Sequence, residues 1–354
     1  MSTTNGSVVI PNGTSSGGPY CAISYDSITA KAIKIVALSV LMVIAFVLNS
    51  LVIAVFAKTP SLQRTVNYFL VNMAASDLLI SIAAIPKDIL ELSSGSTYWR
   101  VGGDFGHFLC ILQSLLVDIS AVVSILSMTC ITIDRFCAVM MPLRVNLVPG
   151  KVRGFIIALI WVLSIINYCY YFYTLRLDSD NQGNFICWMS FEPLDNTKMS
   201  TIVVTYVAVL FGCFPWILVA ILYAAMIVGL KRARIQFEAN DQNNLRLTRS
   251  TSVTRQACVI VLVFGICFFP MCAIFLVIAH VFHFGCSPPY FAHLYFAAQF
   301  LMLSNAALNP CVCLFLSENY RNGLWKILKL NNLQRVYPGF ALEEVREDPV
   351  TRVT

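Results

Sequence analysis

Charge is what this chain has least of. Asp, Glu, Lys and Arg make up 12% of its 354 residues, while hydrophobic residues make up 58%. A soluble domain carries about a quarter charged residues. Half that share excludes an ordinary cytosolic globule, a disordered chain and a nucleic-acid binder, so the net charge of +6 is no nucleic-acid signature. Catalytic patterns are missing too. No Gly-x-Ser-x-Gly, His-Glu-x-x-His or phosphate-loop sequence occurs, and an enzyme is not expected. The first thirty residues are rich in Ser, Thr, Gly and Asn and hold no apolar core. No cleaved signal peptide is therefore expected, and the first apolar run serves as its own insertion signal.

What is abundant is apolar length. A helix needs about 20 mostly apolar residues to cross a bilayer. Seven stretches qualify: about 33–56, 66–90, 108–140, 152–173, 201–230, 253–282 and 290–316. Barrel strands would be about ten residues long with alternating character, so helices are the candidates. The expected fold is an all-α membrane protein, a seven-transmembrane helix bundle plus a short amphipathic eighth helix. That last helix falls at Glu318–Leu330, where Leu324, Trp325, Ile327 and Leu328 alternate with Arg321, Lys326 and Lys329. Pro86, Pro215, Pro270 and Pro310 sit inside spans, where each should kink its helix.

An odd span count puts the two ends on opposite sides. With the N-terminus outside, the short inner loops hold Lys58, Arg64, Arg135, Arg144, Lys151, Arg153 and the basic stretch Lys231–Arg255. The outer loops hold far fewer basic residues, so the charges favour N-out, C-in. Residues 1–31 form an extracellular segment with glycosylation sequons at Asn5 and Asn12. Residues 32–330 form the bundle and eighth helix, and 331–354 a flexible cytoplasmic tail. A multi-pass plasma-membrane protein is the expected setting.

Of 13 Cys, four are placed outside: Cys21, Cys110, Cys187 and Cys286. The outer face is oxidising. Three pairings exist; the expected ones are Cys110 with Cys187 and Cys21 with Cys286. The outer loop 174–198 carries the turn cluster Asp180-Asn181-Gln182-Gly183 and fits a β-hairpin over the bundle mouth. His280 and His283, three apart, would present a metal pair if one helix carried both; interfacial aromatic residues are the plainer alternative.

Ionisable groups within a span are costly and usually functional. Asp77 lies mid-span, and Asn49, Ser124, Asn305 and Asn309 lie at comparable depths in other spans. Two interpretations stay open from composition: a protonated Asp77 in a structural network, or a small cation held by oxygen ligands. Asp134-Arg135-Phe136 ends the third span, with Arg135 about 37 Å along the helix from Cys110. Asp134 can pair with Arg135 and hold it inside the bundle.

In order, these marks are Asn49 in Leu-Asn-Ser-Leu-Val, Leu70 through Asp77, Cys110, Ser124, Asp134-Arg135-Phe136, Trp161, Pro215 with Tyr223, Phe264, Cys267-Phe268-Phe269-Pro270, Asn309-Pro310, and Ser317 through Arg321. Over about 33–330 the chain resembles the rhodopsin-like (class A) G-protein-coupled receptors. The resemblance implies a receptor that relays an extracellular ligand to a heterotrimeric G protein, with arrestin and membrane lipids as further partners. It implies an outward swing of the sixth helix about Pro270. Arg135, released from Asp134, would then line the inner cavity with Tyr223, while Leu143 plugs into the G protein. Asp77, Ser124, Asn305 and Asn309 match the family's sodium site, an allosteric Na+ being the one cofactor-like group implied.

Three departures stand out. Cys313 replaces the tyrosine expected after Asn309-Pro310, and Phe268 stands where a tryptophan is usual. No acid occurs at the inner start of the sixth helix, where Arg249, Ser250 and Thr251 stand. A loosely held resting state with appreciable basal signalling is expected.

By family position, the pocket wall includes Lys87, Glu91, Gln113, Val117, Asp118, Phe268, Phe275, Tyr295 and Gln299. Val117 occupies the place of the amine receptors' carboxylate, and Leu303 that of the opsins' lysine. Outer acids such as Glu91, Asp178 and Asp195 suit a cationic peptide, which makes a neuropeptide receptor the expected class. A lipid or other small ligand is the alternative, and a transporter with a buried proton relay the more distant one.

Overall fold

A computed structural model describes residues 26–141, 149–180, 183–237 and 241–328, the side chains of 230–257 excepted. Seven helical segments are long and apolar enough to cross a membrane: Ile28–Lys58, Thr65–Ser94, Gly103–Met140, Gly150–Thr174, Asn196–Gly229, Cys258–His280 and Phe291–Leu316. They are called the first to seventh spans below. Glu318–Ile327 forms the eighth helix.

Local chemistry sets the ends. Ser27 opens the first span, its hydroxyl accepting from the N–H of Ala30 at 3.1 Å, and Asp195 caps the fifth through the N–H of Lys198 at 3.0 Å. Both satisfy N–H groups that a helix start leaves orphaned. That hydrogen bond also holds the Asp195 carboxyl below its usual range. Gly95 closes the second span at φ 68°, a conformation glycine adopts without strain.

Two of the four span prolines are answered by a change of helix type. A π-helical turn, Ile80–Ala84, precedes Pro86, and another, Ala208–Cys213, precedes Pro215. Proline has no N–H to donate and its ring crowds the carbonyl four residues back; a widened turn relieves both. The helix runs through Pro270 and Pro310. The sixth helix begins at Asp241, inside the stretch whose polarity suggests a loop.

The second and third spans are the centre of the bundle. About half of each is buried, against 22% of the fourth. Polar side chains tie them together. Asn72 of the second span accepts from Trp161 Nε1 of the fourth at 2.9 Å and donates to Ser127 of the third at 2.8 Å. Asn49 donates to the carbonyls of Ala45 and Ala306 at 2.8 and 2.7 Å, joining first and seventh spans. At the inner edge, Arg153 lies 3.5 Å from the ring centroid of Tyr68, a cation–π contact.

The outer hairpin forms as the turn cluster foretells. Strand β1 (Leu175–Ser179) pairs antiparallel with β2 (Phe185–Met189), Leu177 opposite Cys187. Cys187 is disulfide-bonded to Cys110, with Cα atoms 6.0 Å apart. Cys286 is also disulfide-bonded; Cys21, its expected partner, lies outside the described residues, as do Asn5, Asn12 and Leu143.

The eighth helix seats itself by size. Tyr320 is fully buried, and burial pushes its phenol above the ordinary value. A Cβ on Gly323 would come within 2.7 Å of Val55 and 2.8 Å of Thr59, so glycine lets the helix lie against the inner end of the first span.

Replacing Asn72 with Leu leaves Trp161 and Ser127 each short of a partner. The purified protein should lose about 1–3 kcal/mol of stability, read as a lower unfolding midpoint. Unchanged unfolding would show that this three-span tie contributes nothing.

Candidate functional site

Three polar clusters sit at different heights along the third span. The outer one lies between second and seventh spans. Lys87 pairs with Glu91 at 2.8 Å. Gln299 donates to Asp88 at 2.9 Å, bridging the two spans. The ring of Tyr295 meets Phe275 edge-on at 6.5 Å. Gln113 donates to the carbonyl of Ala83 at 3.4 Å, and its own carbonyl oxygen is buried without a partner. Among the described residues Glu91 has Lys87 as its ion-pair partner, and Asp88 has the Gln299 amide but no ion pair.

At the outer end the disulfide and two hydrogen bonds from outside the hairpin hold it. His107 Nε2 lies 2.9 Å from the carbonyl of Leu175. Trp99 donates its backbone N–H to Phe185 at 2.8 Å. Trp188 Nε1 donates to Asp178 at 2.6 Å across the two strands.

Asp118 does not join the outer carboxylates. The hydroxyl of Tyr171 donates to it at 2.5 Å, at the seam of third and fourth spans. Tyr171 itself packs against Tyr168 and Tyr170, ring centroids 5.4 and 4.8 Å apart. Val117 packs on the apolar cluster of the first, second and seventh spans. Phe268 stacks on Phe264 at 5.4 Å. His280 and His283 do not share a helix. The sixth ends at His280, His283 has φ 49°, and His280 Nε2 is 2.8 Å from Thr205 Oγ1. Among the described residues no group of three His, Cys, Asp or Glu side chains gathers to hold a metal.

The middle cluster surrounds Asp77, which is fully buried. Ser124 donates to one carboxylate oxygen at 3.3 Å and lies 2.9 Å from Ser76 Oγ. Ser120 donates to the carbonyl of Ser76 at 2.6 Å. The other Asp77 oxygen, the Asn305 oxygen and both amide atoms of Asn309 have no partner. A small cavity opens here, lined in part by Asn49, Asp77, Asn309, Pro310 and Cys313.

The inner cluster is Asp134 with Arg135. Arg135 Nε donates to Asp134 Oδ2 at 3.1 Å, and Nη2 donates to the same oxygen. Tyr223 is buried nearby in the core, its hydroxyl without a partner.

Two residues escaped the sequence argument: Asp88 and Tyr171. Asp88 stands beside Lys87 and three before Glu91, so spacing alone reads it as a surface helix charge. Only the seventh-span partner, Gln299, sets it apart. Tyr171 lies past the regular fourth helix, which ends at Asn167.

Comparison with known proteins decides the class. The sequence profile of the "7 transmembrane receptor (rhodopsin family)" matches residues 48–312. The chain belongs to this family. It is 24% identical over 301 residues to the RYamide receptor of Tribolium castaneum, covering 82% of this chain and 78% of that one. With the somatostatin receptor type 5 of Bos taurus it shares 28% over 336 residues, 93% of this chain and 85% of the other. The neuromedin-K receptor of Oryctolagus cuniculus is 25% identical over 290 residues, 81% of this chain, which spans 59% of that longer protein. Members of this family are receptors, not enzymes, and this one is a multi-pass plasma-membrane protein.

Tyr171→Phe removes only a hydroxyl. It should lower the stability of the purified receptor by about 1–3 kcal/mol, and adding Asp118→Leu should recover much of that loss. If the two single losses simply add in the double variant, the pair is not coupled.

Proposed function

We propose that this receptor binds a peptide carrying a cationic group and relays the event to a heterotrimeric G protein. One observation carries the ligand class: Glu91 is paired with Lys87, while its neighbour Asp88, bonded to Gln299 of the seventh span, makes no ion pair among the described residues. A guanidinium or ammonium brought there would displace Lys87 or add to it, and Gln299 and Tyr295 supply further oxygen acceptors. The names of the relatives point the same way, since these are receptors for RYamide, somatostatin and neuromedin-K. Val117 and Leu303 offer neither an amine-receptor carboxylate nor an opsin lysine.

The relay follows from differential affinity. A ligand shifts the bundle only as far as it binds the signalling arrangement better than the resting one. In the resting arrangement Arg135 is held by Asp134. An outward swing of the sixth helix about Pro270 would open the inner end, and Arg135 would turn from Asp134 toward Tyr223. G-protein binding must then tighten agonist binding by the same factor. Leu143 would enter the G protein, and the basic loop with Thr248, Ser250, Thr251 and Ser252 would serve arrestin once phosphorylated.

The middle cluster suits a sodium ion. Its unpaired oxygens, from Asp77 and Asn305 with Ser124 beside them, are the donor type a hard cation takes, and Asn309 completes the ring. The ion would supply positive charge to a buried carboxylate and so favour the resting arrangement. Asp77→Asn should abolish any effect of sodium on agonist affinity while leaving choline chloride controls unchanged.

A peptide library applied to cells expressing the receptor with a promiscuous G protein tests the ligand class. Peptides containing Arg or Lys should activate it, with affinity falling as salt rises. Glu91→Gln and Asp88→Asn should each weaken binding about tenfold. Activation by lipid alone, insensitive to salt, would overturn the peptide assignment.

The absent tyrosine at Cys313 and the absence of an acid at Arg249, Ser250 and Thr251 leave the resting state weakly held. Cys313→Tyr should therefore lower agonist-free G-protein activation; equal basal rates would show that the missing hydroxyl is immaterial.

A further inference from the structure

We propose that a hollow on the outward-facing side of the fifth span, beside the outer end of the sixth, binds a sterol, a membrane lipid with one hydroxyl on a rigid apolar body. The hollow has a volume of about 430 Å³, and Ile202, Thr205, Tyr206, Leu210 and His280 are among its walls. It lies apart from the polar cluster of second and seventh spans and does not depend on the peptide assignment. Ile202, Tyr206 and Val209 are each about half exposed, and their spacing puts them on one face of the helix. That face turns away from the bundle, so in a bilayer its surroundings are lipid. Its height follows from the sixth helix. No charged residue lies between Arg255 and His280, a stretch just long enough to cross the hydrocarbon core. His280 therefore stands at the outer boundary of the membrane, with Thr205 beside it. Val209 and Leu210 lie a turn deeper in the fifth span, among acyl chains. The hollow thus has a polar end at headgroup level and an apolar end below it.

The polar end is short of donors. Thr205 gives its one hydroxyl hydrogen to the carbonyl of Thr201 at 2.7 Å, and Thr201 gives its own to the carbonyl of Thr197 at 2.8 Å. In the 2.8 Å contact between Thr205 Oγ1 and His280 Nε2, the hydroxyl oxygen must then accept and the imidazole donate. A neutral imidazole has no second hydrogen, so His280 Nδ1 is left as an acceptor. A phosphocholine headgroup has no donor to offer it, and a carboxylate would meet only lone pairs. A hydroxyl supplies what is missing. The walls favour a stiff partner as well. Ile202 and Val209 are β-branched, with few rotamers open to them, and the phenol of Tyr206 is held by a 2.9 Å bond to Asn167 of the fourth span. A hollow shaped in advance gains most from a ligand with little freedom to lose. Fused rings meet that condition; a single acyl chain does not.

The test reconstitutes the full chain in phosphatidylcholine nanodiscs with a cholesterol analogue that keeps its hydroxyl and carries a diazirine on its side chain. After photolysis, peptide mass spectrometry locates the label, which should fall on the fifth span around Val209 and Leu210. Unlabelled cholesterol should compete. Cholestane, the same body without the hydroxyl, should compete about fivefold less well. His280→Leu should raise the half-saturating concentration about fivefold. Ile202→Trp fills the hollow and should abolish the label there while label elsewhere on the protein persists. A wild-type hollow that takes no label would overturn the site. Equal competition by cholestane, or undiminished labelling of His280→Leu, would overturn the hydroxyl recognition that defines it. Stronger competition by oleic acid than by cholesterol would do the same and assign the hollow to a fatty acid on a protonated imidazole. Should either variant fail to fold, the competition series on the wild-type protein decides alone.

Discussion

Hydrocarbon surrounds this bundle, and lipid tails attract an apolar side chain as well as a neighbouring helix does. Hydrophobicity therefore places the helices in the membrane without telling them which faces meet. The exposed sides of the spans carry Ile33, Val36, Phe155, Ile166, Ile217 and Ile266, all large and apolar. Polar groups supply the direction. Asn49 reaches the Ala306 carbonyl, Asn72 joins Trp161 to Ser127, and Ser120 reaches the Ser76 carbonyl. Each such group in lipid must find a partner inside the protein, and finding one fixes the mutual rotation of two spans.

That constraint also explains why the third span is central to the structure. Cys110 at its outer end fixes the hairpin, Ser124 at mid-depth touches Asp77, and Arg135 at its inner end is held by Asp134. A helix whose three heights are all engaged is a poor candidate to move. The fifth and sixth spans meet differently, through rings and a close approach: Trp216 lies 4.8 Å from Phe269, and a Cβ on Gly265 would stand 2.6 Å from its indole.

Much of this was legible in the residues. The span count follows from length and hydropathy, and the hairpin from Asp180 to Gly183 followed by a β-prone run. Proline marked the disturbed helices, but not the remedy: the π-helical turns at Ile80–Ala84 and Ala208–Cys213 lie before the prolines and carry no signature of their own. Charge patterns within one helix were legible and pairs between helices were not. Lys87 with Glu91 is an i,i+4 spacing visible in one dimension. Asp88 with Gln299, Asp118 with Tyr171 and Trp216 with Gly265 are decided by how spans rotate against each other. The left-handed residue at His283 undid the metal pair, because three-residue spacing has meaning only while the helix continues.

The unpaired polar atoms give the last step. A buried donor or acceptor without a partner costs about 1–3 kcal/mol. Asn49, Asp77 and Asn309 each leave such an atom at the wall of one cavity. The amide of Asn305, the hydroxyl of Tyr223 and the indole N–H of Trp216 leave others in the fifth and seventh spans. By contrast the amide of Asn72 and the hydroxyl of Ser76, between second and third spans, are satisfied. Apolar residues of like size would pack these sites more stably if a single arrangement were all the chain required. Their presence argues for a second set of pairings, formed with water, a cation or a shifted helix.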